Sequence, residues 1–291
     1  MRSVAKDLTV VVPTIGRPVL GRCLDALLDS TVRPGNVVIV DQSRDDAVLG
    51  LVDEAARLGL DVSRTPSAER GVAAARNRGI DEATTRFIAT IDDDCCALPD
   101  WTQRLLDRLL AHPGVVITGR VDPVGPEELP STIVSVEEVT YQRPLPDRDP
   151  LFTGNMAAER SVFERVGPFN EHPALVPAAE DNEWGYRALR AGVAILYAPD
   201  VAVRHLDWRS PAELVATYRR YARGQGGFYG LYLRRGDWFI VRRTLRDVAR
   251  SMWLLGRGKL SGKRDITHSS GAHLFDLLAG IVAGLTGGRW A

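Results

Sequence analysis

The sequence is poor in cysteine, and its three thiols cannot form a disulfide framework. Cys95 and Cys96 are adjacent, and Cys23 falls among leucines on a predicted helix, where a small buried residue is expected. The first residues run into a strand-like segment without the apolar region and cleavage site of a signal peptide. These absences predict a reducing, cytoplasmic location.

Long hydrophobic runs and two common nucleotide motifs are also absent. No stretch approaches the roughly 18 to 20 uninterrupted apolar residues of a membrane-spanning helix. The chain has neither a G-x-G-x-x-G after a strand nor a G-x-x-x-x-G-K-[ST], so dinucleotide oxidoreductases and P-loop enzymes are disfavoured. What remains is a chain of 291 residues, enough for one large α/β domain or for one domain with a helical extension.

Short β-branched runs alternate with amphipathic helical patterns over the first 120 residues. The predicted strands cover residues 8–12, 37–40, 61–63, 87–91 and 115–118, and the predicted helices cover 18–28, 45–58, 72–83 and 100–110. The strands are almost continuously apolar, which suits a parallel sheet covered on both faces. The alternation predicts a doubly wound α/β fold, whose ligands bind beyond the carboxyl ends of the strands.

The pattern changes after residue 120. Residues 122–150 are rich in proline and acidic residues and are predicted to be an irregular connection. A helix over 180–191 and a strand over 195–197 follow. From residue 210 onward the pattern is helical and basic, with glycine breaks predicted at 224–227, 236 and 256–262, and a last apolar segment at 274–285.

Three carboxylates, Asp92, Asp93 and Asp94, directly follow the apolar strand at 87–91. At a sheet edge they repel one another and lose solvent, and a cation relieves both costs. Oxygen ligands favour Mg²⁺ or Mn²⁺, with a diphosphate completing the coordination. The alternative is a solvated acidic turn or a helix cap. We favour the metal site.

Polar residues follow two other strands. Thr14 stands just after the first predicted strand and Asp41 just after the second, where they can exchange hydrogen bonds with a nucleoside. Arg70 and Arg76 flank the start of a helix and can contact phosphate there. Ordinary turn residues and a surface helix are the alternatives.

Two further residues are candidates for chemistry. Asp181 opens a helix on the same face as Trp184, and partial desolvation there would raise the pKa of its carboxyl and make it a better base. The alternative is a favourable acid in a first helical turn. His205 ends an apolar strand pattern and is a structural residue unless it meets a metal at Asp94.

Taken in order, these segments resemble the family 2 glycosyltransferases with the GT-A fold. The resemblance spans roughly residues 7–207. The matching segments are Val12-Pro13-Thr14, Val40-Asp41, Arg70-Gly71 to Arg76-Asn77, Ile91-Asp92-Asp93-Asp94, Thr153-Gly154-Asn155-Met156-Ala157, Val166-Gly167-Pro168-Phe169-Asn170-Glu171, Glu180-Asp181 and His205. Cys95 departs from the pattern, since many relatives carry another aspartate there, which makes the site less acidic.

The resemblance implies a GT-A-type doubly wound mixed sheet flanked by helices, covering residues 1–207, with a nucleotide-sugar-binding half at 1–120 and an acceptor half at 121–207. A basic helical region at 208–291 lies outside it. The implied site assigns donor binding to Pro13, Thr14, Asp41, Arg70, Arg76, Asp92 and Asp93, metal binding to Asp94 and His205, and base catalysis to Asp181.

The implied reaction is an inverting, metal-assisted transfer from a nucleoside-diphosphate sugar, with Mn²⁺ or Mg²⁺ as the cofactor. UDP is the first expectation for the donor nucleotide, with GDP and dTDP as alternatives. The acceptor is a saccharide, a lipid-linked molecule or another small molecule. A non-catalytic nucleotide-sugar binder or membrane-associated interaction protein on the same fold is the competing hypothesis. A sugar-phosphate nucleotidyltransferase is disfavoured, because no Gly- and Arg-rich loop follows the first strand.

Positive charge is concentrated in one segment of a chain whose net charge is zero. Residues 204–264 hold 15 basic and four acidic residues, interleaved with aromatics. Such a segment suggests peripheral binding to an anionic membrane surface, here the inner face, or to a lipid phosphate. A helical cap whose arginines pair internally, or a homodimer interface, is the alternative. Nucleic acid is disfavoured, because no recognised motif accompanies the charge.

Overall fold

The computed structural model describes residues 3–43, 46–124, 132–175, 178–206, 211–261 and 264–287. The chain forms two compact units. The first comprises Met1–Arg143, Pro150–Phe169 and Trp184–Trp208, and the second comprises Pro144–Asp149, Asn170–Glu183 and Arg209–Ala291. The domain boundary suggested after residue 207 stays a prediction.

The first unit contains a mixed nine-stranded sheet. Its strands are β1 (Ser3–Thr14), β2 (Val32–Asp41), β3 (Val62–Pro66), β4 (Phe87–Ile91), β5 (Cys95–Ala97), β6 (Val116–Val124), β7 (Val139–Tyr141), β8 (Asn155–Glu159) and β9 (Ile195–Leu206). The spatial order is β3-β2-β1-β4-β8-β6-β9-β5, with β7 beside β9. The strands β3, β2, β1 and β4 are parallel, whereas β8 runs antiparallel between β4 and β6.

Helices accompany the sheet along the chain. They are α1 (Leu20–Asp29), α2 (Ala47–Arg57), α3 (Val72–Glu82), α4 (Trp101–Ala111), α5 (Arg160–Val166) and α6 (Glu180–Arg190), of which the first turn of α6 belongs to the second unit. Successive residues of β1 pack into different cores: Val10 joins a cluster with Leu24 and Leu105, and Val11 joins one with Ala75 and Trp184. Burial on both faces is the reason for the unbroken apolar character of the strands.

The α/β mixed sheet implied by the resemblance is confirmed, and the alternation over the first 120 residues is observed. Three strands were not predicted: β5, β7 and β8. Each is three to five residues long and pairs with a strand that is distant in sequence, and a local pattern does not show such pairing. The predicted irregular connection at 122–150 contains the end of β6 and all of β7, and its residues 125–131 lie outside the described residues.

Asn155 at the start of β8 joins three parts of the first unit. Its side-chain amide donates to the carbonyl oxygens of Arg120 and Val201, at 3.0 and 2.9 Å. Its side-chain oxygen accepts from the Trp101 indole at 2.8 Å. Because the side chain is fully buried, losing one of these partners would leave a polar group unsatisfied away from water.

The second unit contains a 3-10 turn at Pro173–Leu175 and three helices of 23 residues each: α7 (Pro211–Leu233), α8 (Trp238–Leu260) and α9 (Arg264–Thr286). None of the helices among the described residues is both long and apolar enough to cross a bilayer. A chain reversal between α7 and α8 contains Gly236, whose φ is +71°. The helix break predicted there is confirmed.

The breaks predicted at 224–227 and within 256–260 are wrong, because α7 and α8 continue through those glycines; residues 262–263 lie outside the described residues. The glycines of α7 instead allow close helix packing. A Cβ added at Gly226 would lie 2.0 Å from the carbonyl oxygen of Leu277 on α9, and one at Gly280 would lie 2.1 Å from that of Arg223 on α7. Tertiary contact therefore overrides the low helix propensity of glycine.

We expect Gly280→Ala to destabilise the protein by about 1 to 3 kcal/mol, because the added methyl group forces α7 and α9 apart. Gly256→Ala on α8 is the matched control, since no atom lies within 4 Å of the added Cβ. That control should be neutral or stabilising by about 0.5 to 1 kcal/mol. Denaturant unfolding of both variants measures the difference. Equal effects at the two positions would contradict close packing as the role of Gly280.

Candidate active site at the carboxyl edge of the sheet

Polar side chains meet where three parallel strands end. Thr14 at the end of β1 is the register partner of Asp41 at the end of β2, and Asp92 directly follows β4, the other neighbour of β1. Pro13, one residue earlier on β1, is buried within the sheet. The topology therefore brings residues 41, 14 and 92–94 to one edge, where α/β folds bind their ligands.

Two of the three successive carboxylates are buried. Asp93 and Asp94 are 2% and 3% exposed. The Thr14 hydroxyl donates to Asp93 at 2.7 Å, and Arg17 Nη1 lies 2.9 Å from Asp94 Oδ2 and 3.4 Å from Asp93 Oδ1. Burial raises the pKa of Asp93 to about 6, although Arg17 and the Thr14 hydroxyl oppose the shift. The carboxyl edge of the sheet thus concentrates negative charge, which a bound cation would stabilise.

No role was expected for Arg17 from the sequence, although it stands in the segment after the first strand. In the structure its guanidinium contacts both buried carboxylates. The sequence did contain a signal for this contact. Arg17 follows β1 and the three aspartates follow the neighbouring parallel strand β4, so the positive charge of Arg17 could be expected to offset their negative charge.

His205 comes from the far end of the unit in sequence and meets the acidic run. Because β5 pairs antiparallel with β9, Cys95 is opposite His205, and His205 Nε2 lies 3.5 Å from Asp94 Oδ1. The Leu206 amide fixes this register by donating to the Asp94 carbonyl at 2.8 Å. His205 therefore lies within reach of a metal bound by Asp94, and its role as a ligand stays a prediction.

The donor atoms at this point fit a divalent cation. One ligand atom each of Asp94, Cys95 and His205 lies within 4.8 Å of the others, and all three residues are buried. Among the described residues, His205 Nδ1 is buried and has no hydrogen-bond partner. Burial raises the pKa of the Cys95 thiol well above its ordinary value, so the cysteine stays protonated. Asp94 offers a carboxylate, the ligand type that suits Mn²⁺ or Mg²⁺, and His205 adds an imidazole beside it.

Asp92 is held in a different way from its two neighbours. Arg76, buried on α3, donates to Asp92 Oδ1 at 2.8 Å, and the Asp92 carboxylate remains 27% exposed. A Cβ at Gly154 would lie 2.7 Å from Asp92 Oδ2, so the absence of a side chain at residue 154 leaves room for the carboxylate. The structure therefore gives Arg76 a direct partner within the acidic run.

Asp41 is fixed at the end of β2. Its carboxylate is buried and accepts from Arg64 Nε and from the Ser43 amide, both at 2.8 Å. The next residue, Gln42, donates from its side chain to the carbonyl oxygens of Glu69 and Gly71, at 2.7 and 3.0 Å.

The loop that Gln42 ties to β2 carries Arg70, whose side chain is exposed. Arg70 is thus the one predicted donor contact that projects toward solvent, and it is free of the buried ion pairs that hold Arg64 and Arg76 among the described residues.

Asp181 lies in the second unit, in the first turn of α6. The residues that follow it are anchored to α7: Asn182 donates to Gln225 Oε1 at 2.7 Å, and Glu183 accepts from the Tyr232 hydroxyl at 2.7 Å. Asp181 itself is half-buried. Trp184, which shares its helix face, is fully buried against Phe163 and Phe169, so the indole belongs to the core of the first unit.

Solved structures with this fold include two that contain a nucleotide sugar. The chain matches the mannosyltransferase PcManGT from Pyrobaculum calidifontis, in complex with GDP-Man and Mn²⁺, with a TM-score of 0.61 and 18% identity over 96% of this chain and 87% of that one. It matches residues 1–349 of S. aureus TarS, in complex with UDP-GlcNAc, with a TM-score of 0.56 and 15% identity over 98% and 93%. These likenesses establish the GT-A fold.

Sequence comparison identifies the family to which the chain belongs. The glycosyltransferase AglE of Haloferax volcanii is 25% identical over an alignment of 263 residues that covers 88% of this chain and 82% of that protein. The model of the family described as "Glycosyl transferase family 2" matches residues 9–167. Because that match covers more than half of the chain, the protein belongs to the family 2 glycosyltransferases.

Proposed function

We propose that the protein transfers a sugar from a nucleoside-diphosphate sugar to an acceptor hydroxyl, by an inverting single displacement assisted by Mn²⁺ or Mg²⁺. The observation that carries the proposal is the buried pair of Asp94 and His205, 3.5 Å apart at the carboxyl edge of the sheet. The Asp94 carboxylate and the His205 imidazole lie together there, beside Asp93. They would form a binding site for a cation, and that cation would also coordinate the phosphates of the donor.

The donor nucleotide would occupy the ends of β1 and β2. Asp41, held by Arg64, can accept hydrogen bonds from a base or ribose, and Pro13 and Thr14 would line the same pocket. Arg70 would approach the base or diphosphate from its exposed loop, with Arg76 orienting Asp92 from the other side. UDP is our first expectation, with GDP and dTDP as alternatives. The complexes of TarS with UDP-GlcNAc and of PcManGT with GDP-Man are consistent with a nucleotide-sugar donor.

Asp94 and His205 would hold the metal, with Asp92 and Asp93 on the donor side. When bound, such a cation neutralises charge that builds on the nucleoside-diphosphate leaving group. Arg17 already contacts Asp94 and Asp93 and would have to share or yield these carboxylates as the donor binds. Once the metal neutralises these carboxylates, the Arg17 guanidinium could instead donate hydrogen bonds to the diphosphate of the donor.

Asp181 would act as the general base. The acceptor oxygen forms a bond to the anomeric carbon while the bond from that carbon to the diphosphate oxygen breaks, and the acceptor proton passes to the Asp181 carboxylate. Attack from the face opposite the leaving group inverts the anomeric configuration. The contacts of Asn182 and Glu183 with α7 support this role, because they fix the turn that carries the base.

For the acceptor we propose a saccharide, a lipid-linked molecule or another small molecule. The basic C-terminal region favours an acceptor that carries phosphate or lies at an anionic membrane, with peripheral attachment to the inner face as the corresponding location. A homodimer that uses the same region is the alternative.

We expect Asp94→Asn to lower metal-dependent donor hydrolysis by at least about a hundredfold, since even residues that only support a metal ligand contribute about 10- to 100-fold. The substitution keeps the shape of the side chain and removes its charge. Release of nucleoside diphosphate is measured with and without Mn²⁺, using the nucleotide sugar that most raises the melting temperature of the parent protein.

Asp100→Asn is the matched control for this measurement, because Asp100 is about half exposed and pairs with Arg104 on the surface. Its hydrolysis rate should equal that of the parent protein. If hydrolysis did not depend on Mn²⁺, or if Asp94→Asn and Asp100→Asn had equal rates, the proposed metal-binding role of Asp94 would be contradicted. A thermal shift by the donor without any hydrolysis would support a non-catalytic binder instead.

We expect Asp181→Asn to lower turnover by about 10²- to 10⁴-fold, the usual contribution of a general base. The donor and Mn²⁺ should still raise the melting temperature of the variant, because the base does not hold the nucleotide. Glu164→Gln, an exposed change on α5, is the control and should leave turnover unchanged. Parent-like turnover in Asp181→Asn would remove this residue from the mechanism.

A further inference from the structure

The basic side chains of the second unit fall into two sets. One set pairs internally: Arg219 and Arg223 both contact the buried Asp276, at 2.7 and 2.8 Å, and Arg243 makes two hydrogen bonds to Asp149. These arginines are compensated within the unit. The second set lies on the outward face of α8 and accounts for much of the remaining charge.

The outward face of α8 carries a seam of exposed apolar side chains. Its members, with their exposed fractions, are Trp238 (77%), Leu245 (65%), Met252 (59%), Trp253 (59%) and Leu260 (92%). Residues 238, 245 and 252 are seven apart, so they lie along one line of the helix. At 1.5 Å per residue the seam runs for about 33 Å. Several large apolar side chains exposed along one face of a single helix favour an interaction site there.

Basic side chains flank that seam. Arg242, Arg246, Arg250, Arg257 and Lys259 are exposed on the same half of the helix. The single acidic residue of α8, Asp247, is half-buried and accepts a hydrogen bond from the Tyr229 hydroxyl. The outward face therefore presents apolar and cationic groups alone.

A recess opens at the first turns of α8. Pro146, Trp238 and Phe239 form apolar walls, three arginines complete it, and its volume is about 440 Å³. Arg243 is neutralised by Asp149, whereas Arg242 and Arg246 bring positive charge to the opening; Asp147 near Arg246 is itself paired with Arg148. An aromatic wall beside two guanidinium groups suits the phosphate and glycerol of a lipid headgroup.

We propose that the outward face of α8 docks the protein on a bilayer that contains anionic lipid. The seam would enter the boundary between headgroups and acyl chains, with both tryptophans at the interface, while the long arginine side chains reach the lipid phosphates. This inference refines the peripheral attachment in the proposed function to one helix face and one kind of occupant.

A second copy of the chain is a poorer occupant for the same face. A two-fold symmetric dimer would place the seam of one copy against that of the other, and so bring two sets of arginines together. Like charges facing each other across an interface oppose association. An anionic bilayer supplies both the apolar layer and the opposite charge.

The test is flotation of the full chain with vesicles of roughly equal phosphatidylglycerol and phosphatidylcholine, at about 0.1 M salt. The parent protein should float with these vesicles, much less with phosphatidylcholine alone, and less at about 1 M salt. Arg242→Gln, Arg246→Gln and Arg250→Gln together should weaken binding roughly a hundredfold. Leu245→Ser with Met252→Ser should weaken it as well.

Matched controls carry the same chemical changes elsewhere on the surface. Arg57→Gln, Arg78→Gln and Arg104→Gln remove three exposed charges, and Leu58→Ser with Leu110→Ser removes two exposed leucines. Both should float like the parent. Parent protein in the unbound fraction, or α8 variants and controls that bind alike, would overturn the proposal. Donor hydrolysis without vesicles tests the glycosyltransferase mechanism separately, so the two failures are distinguishable.

Discussion

Three successive carboxylates at the buried edge of a sheet cannot stay ionised unless cations or hydrogen-bond donors lie beside them. The first unit meets this requirement from two directions: Arg17 and Thr14 come from the segment at the end of β1, and Arg76 comes from α3. Burial nevertheless raises the pKa of Asp93 to about 6, because these contacts do not fully offset the loss of solvent around its carboxylate. An edge that retains excess negative charge is suited to a divalent cation, and a cation is suited to a diphosphate.

The rest of the sheet keeps this edge in place. Antiparallel β8 closes the gap between β4 and β6, and Asn155 at its start ties these strands to β9 and to Trp101. Gly154, one residue earlier, leaves space for the Asp92 carboxylate. A short segment thus supports the fold and the site together, which explains why its residues follow the family pattern without contributing a reactive group.

The second unit divides its charge between stability and contact with the surroundings. Buried pairs such as Arg243 with Asp149 are costly to break, because a lone buried ion would remain. Within the described part of the second unit, the arginines on the outward face of α8 are exposed, and they lie on the same half of the helix as two exposed tryptophans. Composition alone could not distinguish the internally paired arginines from the exposed ones, because each arginine adds the same charge to residues 204–264.

The sequence by itself determined the alternation of strands and helices, the acidic run after β4 and the family pattern, because these depend on local periodicity and on the order of short motifs. It also pointed to Thr14 and Asp41 at the ends of β1 and β2, since parallel strands end at a common edge. Only the tertiary structure decided that Arg17 contacts Asp94, that His205 meets it, and that α7 continues through its glycines. These features depend on residues distant in sequence that pack together, and neither spacing nor propensity encodes such pairings.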